Sequence, residues 1–341
     1  MSQHTSFDRH VESIETELKS AVMGRGDLAL YRMMAQHMGW VDELGEPVET
    51  RPDLRVHPTL CVMVCEALGG EPAQALPAAA AVELVLRSSQ VHGDIQNGVP
   101  ERNGRPTVWW TWGPAQSINA GDGMHALARL SLLRLADEGL TPERAFRAVS
   151  TLDAAALRYC EGQFLDLTYQ DRVDITEEAY FEALESRWAA LLGCAAELGA
   201  QMASAGEGAE QAMALYGRKL GAASHVRDDV MRLWGSAFEL MPQAGDLLNK
   251  RKSLPIVYAL RNATGAERRT LGDVYFKRVM EPEDLDRILE VLERLGAREF
   301  AQEKADALCR EAIEALNDAG VSAQGLEELA SYARYLSAGD S

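Results

Sequence analysis

At 341 residues and 47% hydrophobic content, the chain is long enough to bury a large core and has the composition of an ordinary globular protein. No run approaches the roughly 18 apolar residues that a membrane span requires, and a formal charge of −18 disfavours nucleic acid or an anionic membrane as partner, since either needs a basic face. The opening MSQHTSFDRHVESIE has no apolar signal-peptide core, which points to the cytosol, and Cys61, Cys65, Cys160, Cys194 and Cys309 contain no C-x-x-C pair, so all five read as reduced core residues and not as zinc ligands.

In chain order the start and stop signals are helical. Cys61 and Cys65, four apart in an apolar run, mark one face of a buried helix, which Gly69-Gly70-Glu71-Pro72 ends. A second helix from Pro77 ends in His92-Gly93-Asp94-Ile95-Gln96-Asn97 and runs into a Gly/Pro loop. Thr141-Pro142-Glu143 supplies a cap, a first-turn proline and an acid for the positive end of the next helix. Thr176-Glu177-Glu178 opens a helix in which Tyr180, Leu184, Trp188 and Leu191 form the apolar stripe. Breaks at Ala205-Gly206-Glu207-Gly208 and Pro242-Gln243-Ala244-Gly245 flank a helix that begins near Glu210 and contains Arg227-Asp228-Asp229-Val230-Met231-Arg232. Beyond Glu281-Pro282-Glu283, a stripe of Leu285, Ile288, Val291, Leu292 and Leu295 runs to Gly296. With no linker, composition shift or repeat, the pattern predicts an all-α chain, one domain over 1–341, of about a dozen helices.

Acids inside an apolar helix need water, a cation or a basic partner. For Asp228 the spacing alone favours the simplest partner, Arg232 four residues on, a solvated pair worth about 0.3–0.5 kcal/mol. The segment Asn249-Lys250-Arg251-Lys252-Ser253-Leu254-Pro255 is the densest basic cluster of this acidic chain, and reads either as a solvated loop or as a lid over an anionic ligand.

Five segments in succession, PTLCVMVCEALGG (58–70), GRPTVWWTWGPAQSINAGD (104–122), EGQFLD (161–166), LYGRKLGAASHVRDD (215–229) and KSLPIVYAL (252–260), resemble the trans-prenyl diphosphate synthase (polyprenyl synthetase) family over nearly the whole chain. The resemblance implies an isoprenoid-synthase-type helical bundle around a central apolar cavity, and a homodimer. It also implies an allylic diphosphate held through Mg²⁺ by two D-D-x-x-D motifs, and isopentenyl diphosphate in a separate basic site.

Carried over residue by residue, the resemblance makes Asp94, Asp228 and Asp229 the catalytic acids, with Asp94, Asn97 and Asp228 as metal ligands. Arg102, Arg187, Arg232, Arg251 and Lys252 would bind diphosphate, and Gln163 and Asp166 would face the cavity together with Ser88 and Ser89, whose small side chains suit a long prenyl chain. Trp188 replaces a threonine near the reactive carbon, where its ring face could steady a cation by roughly 1–2 kcal/mol; His225 is a candidate proton acceptor. The departures fall mostly on one substrate: Leu54, His57, Leu86 and Asn103 stand where the family grips isopentenyl diphosphate. The first acidic motif is reduced to Asp94 and the second ends in Arg232. On these grounds the leading expectation is a Mg²⁺-dependent terpene synthase that ionises farnesyl or geranylgeranyl diphosphate without isopentenyl diphosphate. The alternatives are a prenyltransferase to another acceptor and a non-catalytic partner of a prenyl synthase, with ordinary chain elongation placed last because it would require Arg55 and other cations to rebuild the lost site.

Overall fold

The structure is a computed structural model and describes residues 6–48, 54–170, 172–235, 250–277 and 280–338. The break at Pro242–Gly245 and the residue Asn249 lie outside the described residues. The all-α expectation holds: the described residues are helical apart from turns, an isolated bridge between Val41 and Pro47, and one two-stranded hairpin. They fall into two compact units.

The first unit comprises Met1–Ala156, Cys194–Ala214 and Ala319–Leu326. It holds α1 (Val11–Met23), α2 (Ala29–Met38), α3 (Val56–Ala67), α4 (Pro72–Gln96), the hairpin β1 (Glu101–Arg102) and β2 (Arg105–Pro106), α5 (Val108–Trp112) and α6 (Pro114–Arg134). α4 packs along α3 and α6 through fully buried Leu60, Leu84, Met124 and Leu132. α4 starts at Pro72, one turn before the predicted Pro77, because Pro72 occupies the first turn, where a missing N–H costs nothing; Pro77 lies inside the helix. Cys61 and Cys65 are buried as expected, whereas Cys160 of the second unit is exposed, which corrects its reading as a core residue. The hairpin turns at Asn103 and Gly104, both at positive φ (50° and 72°), the conformation an Asn-Gly pair accepts most readily.

The second unit comprises Leu157–Gly193, Leu215–Asp318 and Glu327–Ser341. It holds the end of α7 (Pro142–Tyr169), α8 (Glu177–Leu184), most of α10 (Glu207–Trp234), α11 (Leu254–Asn262), α12 (Gly265–Tyr275), α13 (Pro282–Arg294), α14 (Ala297–Ala315) and most of α15 (Ala323–Ser337). Thr176 caps α8 by accepting the Ala179 N–H, as its sequence predicts. The helix then departs from the expected continuous stripe: Glu185–Ala189 form a π-helical turn before α9 (Ala190–Met202). Such wide turns are rare and recur at functional sites, and this one carries Arg187 and Trp188. Leu184, Val226, Val230, Leu254 and Val257 form the apolar core beneath it. Among the described residues no helix is long and apolar enough to cross a membrane.

Candidate active site

In the first unit, Asp94 sits in the last turn of α4 with 1% of its surface exposed. Arg102, presented from β1, donates to Asp94 Oδ1 through Nε at 3.2 Å and through Nη2, while Asp94 Oδ2 is buried with no hydrogen-bond partner. Burial pushes the Asp94 carboxyl above its ordinary range, against the pull of Arg102. The Asn97 amide nitrogen donates to Gly93 O at 2.8 Å, which leaves its oxygen as the atom a metal would use. Ser88 is buried in α4 and Ser89 Oγ donates to Val85 O at 3.0 Å, so both hydroxyls lie within the helix that leads to Asp94.

One constellation in this unit escaped the sequence. Arg55 at the start of α3 pairs with Glu15 of α1, donates to Glu83 Oε1 at 3.0 Å and to Met38 O at 3.2 Å. Arg87 donates to the same Glu83 oxygen at 2.6 Å and to Gln90 Oε1 at 2.9 Å. Burial would raise the Glu83 carboxyl, but Arg87, Arg55 and His57 bring it down to about 2. His57 is held neutral, burial lowering it to about 4. Arg55 was the cation that elongation was expected to require, and only the fold shows that it meets Arg87 at Glu83.

In the second unit, Asp166 of α7 receives two cations on one oxygen: Arg187 Nη1 pairs with Oδ2, and Arg251 Nε stands 3.2 Å from it. Arg187 is 5% exposed and its Nε has no hydrogen-bond partner. The Lys252 ammonium donates to the carbonyls of Gln170 (2.7 Å) and Lys250 (2.6 Å). Gln163 lies partly buried on α7, one turn before Asp166. Two glycines set this geometry. A Cβ at Gly162 would stand 2.4 Å from Arg187 N, and one at Gly221 would stand 2.9 Å from Ala189 Cα, so α7 and α10 both approach the π turn closely. On the next turn of α10, His225 then stacks on Trp188, with ring centroids 4.6 Å apart and planes 14° apart. The Arg187 guanidinium lies 4.6 Å from the same indole centroid, and Tyr159 meets the ring edge-on at 6.4 Å. The Trp188 ring, expected to face a carbocation, is thus already in contact with three neighbours. His225 is held neutral, its pKa pushed well below the ordinary value by burial and then by Arg232, Arg187 and Arg251.

The two acids of α10 separate. Asp228 is 38% exposed at its side chain and pairs with Arg227 (Nη2 at 2.5 Å), its sequence neighbour, where the spacing had favoured Arg232. Asp229 is buried; its Oδ2 accepts the Tyr180 hydroxyl at 2.7 Å and the Leu254 N–H at 2.8 Å, so it ties α10 to α8 and caps the start of α11. Arg232 is exposed on α10, near enough to Tyr180 and His225 to bias both.

Among the described residues no three His, Cys, Asp or Glu side chains cluster as a metal site. Mg²⁺ needs no such cage: it commonly takes one or two carboxylates, with substrate phosphates and water completing its shell. The buried, unpartnered Asp94 Oδ2 and the half-exposed Asp228 carboxylate are donors of that kind.

Residues 40–292 match the polyprenyl synthetase family. The chain belongs to that family. It is 31% identical over 308 residues to the (2E,6E)-farnesyl diphosphate synthase of Mycobacterium bovis, covering 89% of this chain and 84% of the relative. It is 32% identical over 291 residues to the geranylgeranyl diphosphate synthase of Mycobacterium tuberculosis, covering 85% and 82%. The crystal structure of a polyprenyl synthetase from Streptomyces coelicolor A3(2) superposes with a TM-score of 0.86 at 31% identity, covering 96% of this chain and 98% of that one. These names overturn the leading expectation: polyprenyl synthetases that resemble this chain are named for making prenyl diphosphates, and nothing among them supports cyclisation, another acceptor or a non-catalytic role. The expectation weighed the losses at positions 54, 57, 86 and 103 and held elongation to require Arg55 and other cations. Arg55 and Arg87 meet at Glu83 in a buried ion-pair cluster.

Proposed function

We propose that this polyprenyl synthetase is a chain-elongating prenyl diphosphate synthase, which joins the C1 carbon of an allylic diphosphate to isopentenyl diphosphate and releases inorganic diphosphate. The observation that carries the reading is the buried Arg187 and partly buried Arg251 guanidinium groups converging on Asp166, with the Arg187 Nε donor unmatched. A diphosphate oxygen satisfies such a donor, and a charge-assisted bond to a phosphate is stronger than a neutral one.

In this reading Arg187, Arg251, Lys252 and the exposed Arg232 of the second unit supply positive charge to the allylic diphosphate; in the first unit, Arg102 offers positive charge beside Asp94. Asp94 with the Asn97 amide oxygen in the first unit, and Asp228 in the second, would each serve as donors to Mg²⁺, which when bound would neutralise charge on the departing diphosphate. Asp229 acts through structure: by holding the Leu254 N–H it fixes the segment that carries Arg251 and Lys252. Ser88 and Ser89 leave room along α4 for a prenyl chain of farnesyl to geranylgeranyl length. A homodimer fits the exposed Ile118, Leu130 and Leu133 of α6, apolar groups that a second copy would cover.

The test is to incubate purified protein with Mg²⁺, farnesyl diphosphate and labelled isopentenyl diphosphate and to identify products by mass spectrometry. The reading predicts a labelled prenyl diphosphate five carbons longer than the allylic substrate. Absence of label from every product, at any allylic chain length, overturns it.

A further inference from the structure

We propose that Trp188 and His225 are positioning residues: their stacked pair holds the Arg187 guanidinium, on Asp166, so that its Nε edge faces the diphosphate of the allylic substrate. The inference rests on the reading of this cluster as a diphosphate site and names how its central donor is oriented.

An arginine side chain has several rotatable bonds, and holding one guanidinium plane costs rotamer freedom unless neighbours fix it in advance. Here two neighbours do so from different directions. Asp166 Oδ2 takes Nη1, fixing one corner of the fork. The Trp188 indole lies 4.6 Å from the guanidinium carbon, fixing the group against a flat, apolar surface. Of the rest of the fork, the Nε–H is buried and unmatched.

The indole is itself held. His225 stacks on it at 4.6 Å and 14°, and Tyr159 closes its edge. The imidazole is neutral, so it can lie beside the cluster without adding a charge that would repel Arg187 and Arg251. The backbone allows no other arrangement cheaply. The π turn Glu185–Ala189 places residues 187 and 188, and Gly162 and Gly221 let α7 and α10 touch that turn at Arg187 N and Ala189 Cα. Trp188 and His225 are therefore one device: a neutral stacked platform beneath a cation.

The experiment measures binding of inorganic diphosphate with Mg²⁺ by titration calorimetry, and the separate KM values of the allylic and isopentenyl substrates. Trp188→Leu is expected to weaken diphosphate binding about tenfold and to raise the allylic KM by a similar factor, with the isopentenyl KM within about twofold of wild type. Trp188→Phe, which keeps a ring face, should restore both to within about threefold. His225→Ala should reproduce part of the loss, and His225→Phe, which retains a stacking face, should not. Should Trp188→Leu fail to fold, the His225 pair decides alone. Unchanged diphosphate affinity in Trp188→Leu or His225→Ala overturns the proposal, as does an equal rise in both KM values, the mark of a general structural defect. Because calorimetry needs no turnover, wild-type protein that binds diphosphate but fails to elongate would sink the elongation reading alone.

Discussion

Asp94 and Asp166 are both carboxylates at the ends of long helical runs that hold arginine, and they hold it differently. Asp94 is met by one guanidinium from an adjoining hairpin and keeps a buried oxygen without a partner. Asp166 takes Arg187 and Arg251 on a single oxygen, and the unmatched atom there is a donor, Arg187 Nε. The difference assigns partners of opposite charge. An unmatched carboxylate oxygen suits a cation, and an unmatched guanidinium N–H suits an anion. The first unit repeats the lesson at Glu83, where Arg55 and Arg87 meet a carboxylate so deeply buried that the arrangement is structural.

The contrast can be broken at graded cost. Glu83→Gln removes the anion that Arg55 and Arg87 share, leaving, among the described residues, Arg55 only Glu15 and Arg87 no acid, and should destabilise the protein by about 3–5 kcal/mol in denaturant titration. The Glu83 carboxyl is depressed from 4.5 to about 2, so the stability it contributes is present above pH 4.5 and is lost as pH falls towards 2; the variant should lose that dependence. Arg187→Leu should lower kcat/KM for the allylic substrate roughly 100-fold, about 2.7 kcal/mol, with far less effect on stability than Glu83→Gln. Gly162→Ala, which drives a methyl group against the Arg187 backbone, should cost about 1–3 kcal/mol and raise the allylic KM, measured by melting and by kinetics together. Asp94 is the smallest in stability. Its carboxyl is raised, so its ionisation takes stability away as pH rises past 3.8, and Asp94→Asn should be as stable as wild type or slightly more so at neutral pH while losing most of its activity.

The helices were legible because caps and stripes act locally: Thr176 caps α8 from a signal within a few residues, although the start of α4 was placed at Pro77 and lies at Pro72. The π turn was not, since Leu184, Trp188 and Leu191 keep helical spacing and the extra residue is accommodated only through close contact with Gly162 and Gly221 on other helices. The family resemblance, carried by quoted motifs, holds. The reaction read from it is overturned by relatives named for making prenyl diphosphates, since cations lost at single positions do not show which groups meet in space. Asp228 shows the same limit: spacing favoured Arg232, and the side chain turned to Arg227. Asp229 was read with Asp228 as one motif, yet one residue further along the helix it points to Tyr180 and the Leu254 N–H.

The most direct test of elongation is the stoichiometry of diphosphate release. With Mg²⁺ and farnesyl diphosphate alone, the account predicts no release above the buffer rate; with isopentenyl diphosphate added, it predicts one diphosphate released for each five-carbon unit incorporated. Sustained release of diphosphate from farnesyl diphosphate without isopentenyl diphosphate would contradict it.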